Sequence, residues 1–247
     1  MPLSPQVIDA AVRAQLATDL NCSPGDFDRE GVVFCEPADN PGRRPFPRGE
    51  RHFDMLTLGG AVIVSATADI MPYLREQLDG KSRDKAFSMP FLCGQVIYYL
   101  PDDPRPLPFP KGFEFTLVER QDIPELYAHD GFHMALSYDT NALRPDVIAL
   151  TAQKDGAVVG IAGASADCAM LWQIGIDVLP GYRHLGIAAA LVSNLKLEIL
   201  EREKVPYYGT ASSNIPSQRT AHRAGLRPAW MCSWRGVFDD ESTLPTC

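Results

Sequence analysis

Hydrophobic and polar positions follow two rhythms along this chain. Near its start Ile8, Val12, Leu16 and Leu20 recur every fourth residue with polar neighbours between them, which predicts an amphipathic helix over about 5–20. In "FDMLTLGGAVIVSA" the pair Gly59-Gly60 separates two β-rich runs, the signal of a hairpin. "DIMPYLREQLDG" returns to the helical period, with Ile70, Tyr73, Leu74 and Leu78 on one face and Gly80 as a stop. "GQVIYYL" reads as a strand. Five prolines then fall between Pro101 and Pro110, which excludes helix interior and favours extended chain. This segment, 101–111, is taken as a connector between an N-terminal α/β region, 1–100, and a C-terminal domain, 112–240. "EPADNPGRRPFPRGER", also proline-rich, is expected to be a long surface loop.

The C-terminal part is more regular. "FEFTLVE" is a strand, and "DIPELYAHDGFHMAL" opens as a helix with Asp122 and Glu125 spaced like a capping box. "DVIALTAQ", the turn "KDG" and "AVVGIAGASA" make a hairpin, and "MLWQIGIDV" is the next strand. A helix over about 184–203 follows, with Ala188, Leu191, Val192, Leu195 and Ile199 on its buried face. Strand "VPYYGTAS", the short helix "PSQRTAHRA" closed by Gly225, and strand "PAWMCSWRGVF" complete the order β-α-β-β-β-α-β-α-β. The fold class is a mixed α/β, or α+β, architecture on a mixed sheet.

Composition narrows the functions. The 247 residues suffice for a full hydrophobic core. No run of about 18 apolar residues marks a membrane span. The amphipathic start differs from a signal peptide, so the expected location is cytoplasmic. A net charge of −8 argues against a nucleic-acid partner and suits a cationic or amine substrate. The six cysteines (Cys22, Cys35, Cys93, Cys168, Cys232, Cys247) form no C-x-x-C pair, so reduced structural thiols are expected and no metal site.

The chemistry concentrates in "DVLPGYRHLGIAAALV", residues 177–192. A strand ends in Pro180-Gly181, two basic residues and a glycine follow, and a helix starts without an acidic residue in its first turn. Unpaired N–H groups and the helix dipole favour an anion at such a junction. Gly186 lets backbone approach a ligand, Ala188 keeps the next contact small, and Arg183 adds permanent charge. A plain helix start after a Pro-Gly turn fits these residues as well. The P-loop pattern and the dinucleotide fingerprint are both missing.

Val178-Leu-Pro180-Gly-Tyr-Arg183-His-Leu-Gly186-Ile-Ala188 resembles the acyl-CoA signature of the GNAT superfamily of N-acetyltransferases: Arg or Gln, two residues, Gly, one residue, Gly or Ala. "SNIPSQRTAHRAGL", from Ser213 to Leu226, is similar to the family's second motif, in which an Asn opens a helix and a Gly-Phe-like pair ends it. The resemblance covers about 112–238 and extends to a bacterial subgroup with an added N-terminal region. It implies a GNAT-like acyl-CoA-binding domain with the smaller N-terminal region packed on it, and acetyl-CoA, or CoA, as co-substrate. The backbone of Arg183, His184, Leu185, Gly186, Ile187 and Ala188 would cradle the pyrophosphate. Ile176 and Val178 on "IGIDV" would hold the pantetheine arm where that strand splays from "PYYGT", and Asn214 and Ser217 would meet the cofactor from the second motif. Gly175 fits a bulge or a close backbone approach.

The implied activity is direct transfer of an acetyl group to an amine of a small molecule or peptide; the alternative is a degenerate acyl-CoA-binding sensor or partner module. A backbone N–H near Ile176 to Val178 would stabilise the oxyanion. Asp177 is a base or polar anchor, or else a solvated strand-end carboxylate; Asp167 and Glu125 are lesser candidates for the same role. His184 belongs to the phosphate loop, and Ser165 and Cys168 have no adjacent base for a covalent route. Many family members place an acid tyrosine seven residues after the motif Asn, where this chain has Ala221. Tyr208, or Tyr207, could serve instead, or both are core aromatics. Trp172, Trp230 and Trp234 are packing residues or walls of the acceptor pocket, and His133, Tyr138 and Asp139 are candidate acceptor contacts. Residues 1–100 either cover the acceptor cleft or supply a homodimer surface.

Overall fold

The computed structural model describes residues 3–46, 48, 51–92 and 94–235, and the side chains of Trp234 and Arg235 are not among those described; Cys93 and Cys247 also lie outside. In chain order the elements are α1 (Pro5–Leu20), β1 (Val32–Cys35), β2 (Phe53–Thr57), β3 (Val62–Ala66), α2 (Met71–Leu78), α3 (Arg83–Ala86) and β4 (Val96–Pro101). There follow β5 (Glu114–Glu119), α4 (Ile123–Leu126), β6 (Asp146–Lys154), β7 (Ala157–Ala166), β8 (Leu171–Val178), α5 (Ile187–Glu201), β9 (Val205–Ala211), α6 (Ile215–Arg223) and β10 (Leu226–Arg235). This is the mixed α/β class expected. No described helix is long and apolar enough to cross a membrane.

The chain forms two compact units that are not sequential. The first takes the residues up to Asp9, Tyr99–Thr210 and Asn214–Pro228; the second takes Ala10–Tyr98, Ala211–Ser213 and the chain from Ala229. In the second unit the strand order is β1-β3-β2-β10, with β1 parallel to β3 and the other pairs antiparallel. The Gly59-Gly60 hairpin joins β2 to β3 as its composition predicts. Val62, Val64, Phe53 and Met55 pack against Leu74 and Leu78 of α2, so the apolar face read from the sequence is the buried one.

In the first unit the order is β4-β9-β8-β7-β6-β5; β5 through β8 run antiparallel and β8 and β9 are parallel. Asp155 and Gly156 hold φ of 50° and 79°, the two positive values that a two-residue hairpin turn requires, and they link β6 to β7. α5 buries Leu191, Val192, Leu195 and Ile199, and also Ala189, Ala190, Ser193 and Lys196. Its second buried side faces the proline-rich segment. Leu107 N donates to Ser193 Oγ at 3.1 Å, Asn194 Nδ2 donates to Leu107 O at 3.0 Å, and Lys196 Nζ donates to Asp103 O. The segment has no regular structure, as its prolines dictate, yet it is strapped along α5.

The main departure from the sequence rhythm follows α4. The expected helix over 122–136 is a single turn, Ile123–Leu126, and Asp122 makes no side-chain cap. Gly131 and Tyr138 hold φ of 92° and 56°, which breaks helical continuity. Ala135 and Leu136 still donate back to Phe132 O, but the backbone N–H groups of Met134, Ala135 and Ser137 go to carboxylates elsewhere in the unit. Tertiary hydrogen bonds therefore override a sequence that reads as helix. A second departure is the start of α5 at Ile187, three residues later than expected, because His184 and Gly186 are left-handed at 65° and 84°.

Candidate active site

β8 and β9 pair in register only from Leu171 with Val205 to Ile174 with Tyr208. Both strands run on, to Val178 and Ala211. Past Ile174, β8 keeps its partner β7, with Gly175 opposite Gly163 and Val178 opposite Gly160. The ladder thus opens on one side of Gly175–Val178 while the other side stays rigid. An open parallel seam offers backbone donors and acceptors to an extended ligand arm, as a third strand would.

At the end of β8 lies the basic loop. Arg183 to Gly186 are exposed, and Gly186 starts α5 with no side chain capping the helix. The N–H groups of its first turn have no partner within the helix, and the dipole adds positive character. A Cβ on Gly186 would stand 3.8 Å from Pro110 Cγ, an ordinary contact, so the glycine is required by its φ and not by crowding. The Arg183 side chain folds back, its Nε donating to Val178 O at 3.0 Å, which fixes the charge at the strand–loop junction. Ile187 is buried, and its side chain and that of Leu191 pack where β7 has Gly160, so Ile187 can serve a ligand only through its backbone. These residues fit the pyrophosphate and arm of an acyl-CoA: an uncapped helix start, a fixed arginine and an open strand edge in sequence.

The second motif meets this site through α6. Asn214 caps that helix, its Oδ1 accepting from Ser217 N at 3.2 Å, so its amide nitrogen is the part left for a cofactor. Ser217 Oγ lies 2.6 Å from the Tyr208 hydroxyl. Burial is the first of the causes that raise the Tyr208 phenol above its ordinary value, opposed by the Ser217 hydrogen bond. Ser217 and Ala221 stand four apart on one face of α6, so the Tyr208 hydroxyl reaches the face where family members carry their acid tyrosine.

Tyr207 has a different task. Its hydroxyl donates to Asp167, whose side chain is fully buried and also accepts from Ser165 Oγ at 2.8 Å, with Arg144 Nη1 3.6 Å away. Asp167, Ser165 and Tyr207 form a structural network, and Cys168 sits in the β7–β8 turn, its sulfur accepting from Leu171 N.

Asp177 stands on the other face of β8, beneath the loop that follows α4. Its Oδ2 accepts from Met134 N at 2.7 Å and Ala135 N at 3.1 Å. Burial raises its carboxyl above the ordinary value, and the two backbone bonds, His133 and Arg183 act in the opposite direction. Gly175 shares this face: a Cβ there would overlap Met134 O, so the glycine marks a close backbone approach and no bulge interrupts the register. Asp146, which the sequence reading passed over, ties down the same loop by accepting from Tyr127 Oη, Ser137 N and Ser137 Oγ at 2.8–2.9 Å. A lone carboxylate opening an apolar strand was the available signal.

The remaining candidates scatter. His133 is exposed and pairs with Asp130 at 3.2 Å, and Asp139 accepts from Asn141 N within its own turn. Tyr138 donates to His129 O, closing the loop on itself. Glu125 lies with Asp122 and His129 on a separate groove of about 470 Å³ beside Thr116 and Gln153. Trp172 is half-buried on β8, and Trp230 is buried in the second unit.

The profile of the acetyltransferase (GNAT) family matches residues 113–226. That stretch, a little under half of the chain, is similar to GNAT acetyltransferase domains, a family whose domains bind acyl-CoA. Similar solved structures include a GNAT-family protein from Novosphingobium aromaticivorans (22% identity, 57% of this chain and 63% of that one, TM-score 0.43). Others are a GCN5-related N-acetyltransferase-like protein from Streptococcus suis (17%, 72% and 72%, 0.44) and a GCN5-related N-acetyltransferase from Kribbella flavida (19%, 57% and 56%, 0.42). The chain spans less than two thirds of the first and third of these. No curated protein matches it.

Proposed function

We propose that the protein transfers the acetyl group of acetyl-CoA directly to an amine of a small molecule or peptide. The observation that carries this reading is the β8–β9 seam, closed through Ile174–Tyr208 and open beyond, with the uncapped start of α5 at one end. A thioester threaded there would have its carbonyl beside the backbone of Ile176–Val178. An N–H from that stretch would stabilise the oxyanion formed when the neutral amine attacks. Collapse of the tetrahedral adduct breaks the C–S bond and releases the CoA thiolate. The Tyr208 hydroxyl, on the α6 side, is the proton donor to that sulfur. Asp177 receives or relays the amine proton on the opposite face, where the Met134–Ala135 turn shapes the acceptor side. Positioning supplies much of the acceleration. The net charge of −8 favours a cationic amine as acceptor.

The test is release of free CoA thiol from acetyl-CoA in the presence of a panel of amines, with mass detection of the acetylated product. Turnover with at least one amine is expected, together with loss of CoA binding in Gly186→Glu, which fills the phosphate space and adds like charge. CoA binding without transfer to any amine would instead support the degenerate acyl-CoA sensor, a reading that the buried Ala221 in place of the usual tyrosine favours. CoA affinity unchanged in Gly186→Glu would overturn the assignment of the loop.

A further inference from the structure

The second unit contains a cavity of about 340 Å³ that the acetyltransferase reading does not use. This lies at the lower end of the range for small-molecule sites. Its apolar side is formed by Leu16, Leu20 and Leu56 and by Tyr98 and Trp230, whose rings stack at 4.8 Å and 11°. Its polar side carries three arginines, Arg43, Arg44 and Arg48, against two carboxylates, Asp19 and Asp54. The sequence reading expected residues 36–51 to be a plain surface loop, yet Arg44 is buried there against Asp19, with Nε 2.5 Å from Oδ2. That pair neutralises one cation. Arg43 and Arg48 both stand beside the exposed Asp39, at 3.6 and 3.4 Å, and also donate to backbone carbonyls, Arg43 to those of Arg44 and Phe46 and Arg48 to those of Ala38 and Asp19. Burial first, and the Arg43 charge second, push the Arg48 guanidinium below its ordinary value, and the Asp39, Asp54 and Asp19 carboxylates oppose that shift.

His52 adds an independent sign. It is 5% exposed and lines the same cavity. Its Nε2 is buried and has no hydrogen-bond partner, although Asp54 Oδ2 stands 3.1 Å away. A buried ring nitrogen without a partner is costly unless something else completes it. One wall is therefore flat and apolar, and the other carries guanidinium groups beside their carboxylates and an imidazole nitrogen without a hydrogen bond.

We propose that this cavity binds a small monocarboxylate with a flat apolar body, the carboxylate meeting Arg43, Arg48 and His52 and the body lying against Tyr98, Trp230 and the leucines. Arginine forks match a carboxylate in two-point geometry, which selects the charged acid over its amide.

Benzoate and benzamide, equal in shape and different in charge, are the probes. Titration calorimetry on the full chain should give one benzoate site with a Kd of about 1 mM or tighter. Benzamide should bind at least about tenfold more weakly. The His52 imidazole resonances should move with benzoate along the same isotherm. Arg48→Gln should weaken benzoate by about tenfold or more; because Arg48 also donates to Asp19 O and Ala38 O, its unfolding curve is measured alongside, and the wild-type probe comparison stands if that variant misfolds. Equal affinity for both probes, benzoate binding that leaves His52 unmoved, or no saturable benzoate binding would each overturn the proposal.

Discussion

Gly163 on β7 and Gly175 on β8 are register partners, and a Cβ on either would overlap the backbone of the loop above them, Ala135 O at Gly163 and Met134 O at Gly175. The two glycines form a shallow trough, and the loop is pressed into it by the Asp177 carboxylate one pleat further along. Gly163→Ala and Gly175→Ala should each cost about 1–3 kcal/mol by forcing the loop outward, read from urea unfolding. Gly181, with nothing within 4 Å of its virtual Cβ, is the control, and its alanine variant should stay within about 0.5 kcal/mol of wild type. Equal effects at all three would remove the trough from the account.

Much of this arrangement was legible in the sequence, for identifiable reasons. The buried stripe of α1, the Asp155-Gly156 turn and the α5 junction follow from local rules, periodicity and the φ demands of glycine. The Arg183–Gly186 loop and Asn214 lie in contiguous motifs, and the opening of β8 from β9 was expected from the resemblance they carry. What escaped was set by contacts between distant residues. The segment after α4 reads as helix because its neighbours alone cannot reveal that Asp177, more than 40 positions away, claims the N–H of Met134 and Ala135. Lys196 lies off the apolar stripe read for α5 and Arg44 in a loop expected at the surface, and both are buried on partners remote in sequence.

Lys196 fastens the proline-rich segment. Its ammonium is fully buried and donates to the carbonyls of Ala224 at 2.8 Å and Asp103. Burial lowers its pKa, and the nearby Asp103 and Asp102 charges oppose that shift. Lys196→Met keeps the length of the side chain and leaves both carbonyls unpaired. The expected loss is about 1–3 kcal/mol, with faster proteolytic cleavage between 101 and 111. Unchanged stability and cleavage would show that the prolines alone hold the segment.

Asp177 gives a pH dependence with a definite sign. Its carboxyl is raised in the folded protein, so between the unfolded value and the folded one the native state holds more protons than the unfolded state. The stabilising share of this group is complete below the unfolded value, about 3.9, and declines as pH rises through the folded value. Asp177→Asn cannot titrate. Urea unfolding from neutral pH down toward that value should therefore show wild type gaining on the variant as acid is added. A gap that shrinks on acidification would mean that the backbone bonds from Met134 and Ala135 outweigh burial.

Tyr207 and Tyr208 are adjacent on β9 and face opposite sides of the sheet, one into the Asp167 network and the other onto Ser217 of α6. Removing each hydroxyl should therefore give opposite phenotypes. If Tyr208 protonates the departing thiolate, Tyr208→Phe should lower kcat by about 10²-fold or more with KM little changed. Its stability should fall only modestly, because Ser217 Oγ is a flexible partner. Tyr207→Phe takes a donor from the buried Asp167 carboxylate and should cost about 1–3 kcal/mol of stability while turnover per folded molecule stays near wild type. A kcat loss confined to Tyr207→Phe would reverse the face assignment. Full turnover in both single variants and in the double variant would leave protonation of the thiolate to solvent, which a leaving thiol with a pKa near 8.5 permits.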